Sequence, residues 1–200
     1  QPQFELNLNK SVRPVIIGAG PSGLFSALTF VKYGYKPIVI EQGEQVGERK
    51  KSVDTFINTG VLNTNSNVQF GEGGAGTFSD GKLTSGINSP YCKTVLEEFV
   101  KFGAPEQILY LTKPHIGTDN LVNIIKNMRN YIISKGGTFL FNTKSESREI
   151  PPPLPLVAYI GILASDSFSI SRFIVLTETS SLSANSFAVM LSLSINRYTI

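Results

Sequence analysis

Residues 14–41 read PVIIGAGPSGLFSALTFVKYGYKPIVIE, and this stretch decides the fold. Pro14 to Ile17 is a short, apolar, β-branched run that stops at a glycine, the pattern of a buried strand in a parallel sheet. Residues 21–33 then place Leu24, Ala27, Leu28 and Val31 at helical spacing. Pro21 stands in the first turn, where its missing N–H is not needed. Gly34 closes that helix, and Pro37 to Ile40 is a second buried strand ending on Glu41. Strand, helix and strand in about thirty residues predict a β-α-β unit.

Between the first strand and the helix lies Gly18-Ala19-Gly20-Pro21-Ser22-Gly23. A Gly-x-Gly-x-x-Gly spacing carries weight only in this strand-to-helix context. Gly18 permits the tight turn, and Gly20 lets the backbone approach a pyrophosphate with no Cβ in the way. Gly23, with Ala27 one turn on, lets the helix pack closely on the strands. The orphan N–H groups and positive dipole of the helix start then face the phosphates. Glu41 lies 18 residues after Gly23, where a carboxylate accepts from the ribose hydroxyls of an adenosine. The same charge repels a 2′-phosphate and argues against NADP at this position. The turn from Gly18 to Gly23 with Glu41 therefore predicts an adenosine-diphosphate site.

Two further stretches favour FAD over NAD. After Glu41 the chain runs Gln42-Gly43-Glu44-Gln45-Val46-Gly47-Glu48-Arg49, a glutamate, glycine and arginine succession common in flavoproteins. Gln42 lies beside the ribose position. Arg49 is open to two readings: a contact to phosphate or adenine, or a solvated arginine. The second stretch is Gln69 to Leu83, with five glycines between Gly71 and Gly81. Each costs about 1 kcal/mol to order relative to alanine. Such a loop, reaching to Gly86, is expected to serve close backbone approach to the pyrophosphate or the flavin ring. Gly73, Gly74, Gly76, Thr77 and Ser79 are its candidate contacts. Asp80 and Lys82 stand where a hydrogen bond or a positive charge would meet the flavin. The competing reading is a flexible surface loop with a turn aspartate and a solvated lysine.

Further along, a weak helical pattern runs from Lys50 to Asn58, and residues 91–102 form an amphipathic helix. Another helix spans 118–135 with Thr118 or Asp119 as its N-cap and Gly136-Gly137 as its stop. Thr138 to Asn142 reads as a strand. Pro151 to Pro155 breaks the pattern, and 156–200 reads as short strands with serine-rich turns. Composition shifts there too. Residues 151–200 hold ten serines and four charges, and neither glycine after Gly161 nor lysine after Lys144.

Composition narrows the function. With 41% apolar and 16% charged residues in 200 and a mean hydropathy of +0.05, the chain has material for a core. A net charge of +3, with no basic run longer than Arg49-Lys50-Lys51, gives little support to nucleic-acid binding. The single cysteine, Cys92, excludes an internal disulfide, and with one histidine a Cys/His zinc site is not expected. Cys92 lacks a CxxC partner and reads as a helix packing residue. No secretory leader is visible, and the longest apolar stretch, Leu154 to Ala164, is about half a membrane span. The expected setting is cytoplasmic, with neither membrane nor nucleic acid as partner.

Three stretches taken together, Arg13 to Phe25, Asn67 to Leu83 and Lys113 to Asp119, resemble the NAD(FAD)-utilising or FAD-dependent dehydrogenases, flavoproteins of the two-dinucleotide-domain type. The last two stretches are more specific than the glycine turn, and the resemblance covers residues 13–144. It implies an α/β, Rossmann-like FAD-binding region over 1–144 into which a smaller β-rich substrate domain is inserted. Residues 145–200 are expected to complete the FAD domain and supply part of the second domain. There the match decays, and Ile162 stands where the family tends to have histidine. Two hundred residues are too few for the whole of such a flavoprotein, so the chain is expected to be part of a larger one.

The resemblance further implies redox chemistry at a non-covalent FAD, with NAD(P)H as a candidate electron donor and a small organic molecule as substrate. The flavin carries the hydride, so no side-chain acid or base is obligatory. His115 is the one candidate acid/base, histidine being the residue type suited to proton transfer near neutral pH; the alternative is a structural hydrogen-bonder. The competing function is a nucleotide-binding module without turnover, and the third is an NAD-only dehydrogenase.

Overall fold

The structure, a computed structural model, describes residues 11, 13–79, 81–83, 89–144 and 175–176. Four strands and four α-helices order the described residues. They are β1 (Val15–Ile17), α1 (Pro21–Lys32), β2 (Ile38–Ile40), α2 (Val46–Thr59), α3 (Pro90–Lys101), α4 (Thr118–Ser134), β3 (Thr138–Leu140) and β4 (Val175–Leu176). The fold is α/β, a small sheet of three parallel strands with helices packed around it, and β4 joins antiparallel at one edge. The sheet order is β3-β2-β1-β4.

Register explains how the site forms. Ile17 lies opposite Ile40, and Ile40 opposite Leu140. The three carboxyl ends therefore open on one rim, and Gly18 and Glu41 leave it side by side. The Gly18 N–H donates to Ile40 O (2.7 Å) and the Glu41 N–H to Leu140 O (2.8 Å). Crevices outside such carboxyl ends are where open α/β sheets bind ligands.

The core forms from the predicted stripes. Ile16 and Val39 are fully buried at the centres of β1 and β2. Leu24, Ala27, Leu28 and Val31 of α1 meet Leu121, Ile124, Ile125, Met128 and Ile132 of α4, the two helices packing side by side. At about 25 cal/mol per Å² of apolar surface removed from water, this burial holds α1 against α4, while α1 also packs on β1.

Three element ends differ from the sequence expectation. Helix α2 starts at Val46 rather than near Lys50. The Val46 N–H is received by the carboxylate of Glu72 (2.7 Å), a cap supplied from 26 residues on that no local pattern shows. Helix α4 is capped by neither Thr118 nor Asp119; Gly117, at φ +83°, is its N-cap with no side-chain bond. Asp119 instead faces Lys50 at 3.4 Å. Strand β3 ends at Leu140 rather than Asn142, which takes φ +51°.

The proline break at 151–155, the short strands of 156–200 and the β-rich second domain lie outside the described residues, apart from Val175–Leu176. Those two pair with Ile16 and Val15. Among the described residues no helix is long and apolar enough to cross a membrane.

Candidate functional site

The turn after β1 takes the shape its glycines allow. Gly18 sits at φ +96°, and nothing lies within 4 Å of where a Cβ would stand. Gly20 is the N-cap of α1 and offers no side-chain bond to the first turn, which holds Pro21, Ser22 and Gly23. The orphan N–H groups of that turn stay available. Glu41 is 6% exposed. Its Oε2 accepts the Ala19 N–H (2.7 Å) and its Oε1 the Gly43 N–H (2.8 Å), which ties the turn to the end of β2. Gln42 is half-buried beside it.

The glycine-rich loop lies directly on this turn. The Gly73 N–H donates to Ala19 O (2.8 Å). A Cβ on Gly74, at φ +66°, would stand 3.0 Å from Pro21 Cδ and 3.6 Å from Gly20 Cα. The structure thus joins the two segments that the sequence singled out separately. Several glycines also serve the packing of the chain on itself. A Cβ on Gly43 would lie 2.6 Å from Gly71 Cα, and one on Gly81 2.5 Å from Gly117 N. A Cβ on Gly73 would overlap the Thr77 hydroxyl and Ile125 Cδ1. Those glycines let the chain approach itself. Gly76, with nothing within 4 Å, keeps the open face expected of a cofactor contact.

Arg49 departs from both readings open to it. It is not solvated, since its exposure is 0%. Nor is it arranged for phosphate. Nε donates to Asn67 O (2.8 Å), Nη2 to Val68 O (2.9 Å), and Nη1 to Glu72 O (2.7 Å) and Gly74 O (2.9 Å), with Gly71 O at 3.4 Å. The Phe78 ring covers the guanidinium at 4.7 Å. Desolvation lowers its pKa to about 10, against the opposing pull of Glu41 and Glu72.

Glu72 is the residue the sequence reading missed. It is fully buried, accepts from Val46 and pairs through Oε2 with Arg129 Nη1 of α4 at 2.6 Å. Burial pushes its carboxyl up from the ordinary range, while the Val46 N–H and Arg129 pull the other way. A charged residue inside a glycine-rich loop was the available signal, because a carboxylate in such a loop needs a partner if it is buried.

The remaining candidates divide. Thr77 faces inward, fully buried beneath Gly73, rather than toward the open crevice. Ser79 bonds back to Gly76 O (2.7 Å) and shapes its own turn. Asp80 lies outside the described residues. Lys82 and His115 are brought together as antiparallel bridge partners, flanked by Leu83 N–H to Pro114 O and Ile116 N–H to Gly81 O, both 3.0 Å. Both side chains are exposed. Cys92 is half-buried on α3.

Chemically, the start of α1 leaves main-chain N–H groups without a side-chain cap, the kind of end that can receive an anion. The Glu41 carboxylate stands at the adjacent strand end, and the glycine-rich loop contacts the turn through Gly73 and Gly74. No protein-family model matches the chain. Over 134 residues it is 54% identical to a protein of Clostridium beijerinckii described only as uncharacterized. The aligned part is 67% of this chain and 25% of that relative, so the chain spans about a quarter of the relative's length.

Proposed function

We propose that the chain binds the adenosine-diphosphate half of FAD at the rim formed by β1, β2 and β3, as the flavin-holding part of a Rossmann-like, FAD-dependent oxidoreductase. One observation carries this reading: the uncapped start of α1, directly behind β1, meets the carboxylate of Glu41 under a glycine-rich loop that closes on Gly20 and Pro21.

The residues fit the group. The turn at Gly18 and the loop at Gly76 leave open space where a Cβ would stand. Each Glu41 oxygen accepts one main-chain N–H and keeps acceptor capacity for a ribose hydroxyl. The N–H groups of Ser22 and Gly23 would hold the pyrophosphate, and Glu41 the ribose. When bound, the flavin supplies the hydride chemistry. The chain binds and orients it, and the Lys82–His115 bridge offers exposed basic groups beside the loop. NAD(P)H is the candidate donor and a small organic molecule the candidate substrate, in a cytoplasmic setting. A nucleotide-binding unit without turnover is the second reading. The observation behind it is that the aligned part makes up 25% of the relative's length.

The visible spectrum of purified protein tests the first reading. A flavin band near about 450 nm is expected. Colourless protein that also fails to take up added FAD would sink it. Bleaching by NADH or NADPH without oxygen favours the oxidoreductase; binding without bleaching favours the second reading. Gly20→Val, which sets two methyl groups in the path of the pyrophosphate, is expected to abolish FAD retention while the protein stays folded.

A further inference from the structure

The stretch from Gly60 to Gly74 contains no regular helix or strand, yet its end closes on the turn at Ala19 and Gly20. Something other than a backbone ladder must fix its shape. Five of its carbonyls converge on the guanidinium of Arg49. A trans peptide points its N–H opposite to its C=O. The Glu72 carbonyl is turned to Arg49, so the Gly73 N–H is turned the other way, where it meets Ala19 O. One peptide unit thus spans from the guanidinium to the turn. The Gly74 carbonyl is held in the same manner, and that residue packs on Pro21. Gly71 makes room for the arm that does this, since a Cβ there would lie 2.6 Å from Arg49 Cδ.

We propose that Arg49 is the positioning residue of the nucleotide site. Its planar guanidinium serves as the template that holds residues 67–74 in the shape that closes on the phosphate turn, and it acts through the loop without touching the ligand. The inference rests on the nucleotide reading given above. A planar fork presents five N–H donors in fixed directions, whereas a lysine ammonium presents three from one point and cannot span carbonyls on both edges of the plane.

The test uses the full chain and titrates FAD, and separately ADP, by calorimetry. Arg49→Ala is expected to weaken both by about tenfold or more, a factor of ten corresponding to about 1.4 kcal/mol. Methylguanidinium chloride, which fits the space left, is expected to restore most of the loss; Arg49→Lys is expected to remain weak. Hydrogen exchange at Glu72, Gly73 and Gly74 is expected to quicken in Arg49→Ala and slow again with methylguanidinium. Wild-type affinity in Arg49→Ala overturns the inference, and so does a loss that Arg49→Lys repairs as well as methylguanidinium does. If Arg49→Ala does not fold, Phe78→Leu, which removes the ring from the guanidinium face, decides. Faster exchange at those amides with weaker FAD binding supports the template, and no change in either overturns it. A wild-type chain that binds neither FAD nor ADP instead overturns the nucleotide reading itself, so the two failures are distinguishable.

Discussion

At Gly73 the structure shows why one hydrogen atom in place of a side chain matters. The residue sits at φ +86° with the Thr77 hydroxyl and Ile125 where a methyl would go. Gly73→Ala is expected to destabilise the fold by roughly 2–4 kcal/mol, from left-handed strain plus overpacking. Gly76→Ala, with open space and no positive φ, is expected to stay within about 0.5 kcal/mol of wild type. Urea unfolding without nucleotide checks both, and equal effects would overturn the assignment. At this scale the sequence was legible where function is local. Gly18, Gly20, Gly23 and Glu41 could be placed at the strand ends and the start of α1 because their positions follow from spacing within one β-α-β unit. Arg49 and Glu72 could not, because arginine and glutamate are ordinarily exposed and their partners lie 18 to 57 residues away.

Between elements, two buried carboxylates act with opposite sign on acid stability. Glu98 of α3 receives Lys32 of α1 and Lys101, both at 2.7 Å, and so fastens α3 to α1. Burial alone would raise its carboxyl, but the hydrogen bonds from Lys101 and Lys32 outweigh that and hold it below the ordinary range. A depressed folded value contributes stability that is present above the unfolded pKa and lost as pH falls through the folded one. Glu72 is raised, chiefly by burial. Its contribution is present below the unfolded pKa and lost as pH rises through the folded value. Thermal unfolding from about pH 4 to about pH 8 is therefore expected to separate two variants. The stability deficit of Glu98→Gln grows as pH rises, whereas that of Glu72→Gln shrinks. Deficits that move in parallel would show that the two carboxylates are not held as described. Removing the Glu72 carboxylate altogether, as Glu72→Ala, leaves Arg129 without its partner and is expected to cost roughly 3–5 kcal/mol; urea unfolding measures it. The helices themselves were readable from their apolar stripes. Their starts were less so, because the cap of α2 comes from Glu72 and that of α4 is a glycine rather than a side chain.

For the molecule as a whole, the first β-α-β unit was visible in the sequence, but the sheet order was not. Three helices and the glycine-rich loop intervene between β2 and β3, and only pairing in space sets β3 on the outer side of β2. Strand β4 lies in the stretch read as short strands with serine-rich turns, but its antiparallel place beside β1 was not legible there. Its position has a bearing on how the chain is made. Among the described strands β1 leaves the ribosome first, and Val175–Leu176, which pair along its outer flank, follow roughly 160 residues later, a delay of roughly 8–30 s at ordinary synthesis rates. Through that interval the main-chain N–H and C=O of Val15, which face away from β2, lack the partner that β4 supplies, and such an edge is a template for strands of other nascent chains. A version ending at Lys144 retains every described residue of the candidate site but lacks the Val175–Leu176 pairing on that flank. It is expected to bind nucleotide but to self-associate at concentrations where the full chain does not, which light scattering would reveal. Val175 and Leu176 thus occupy part of an edge that a second copy of the chain would otherwise be able to extend.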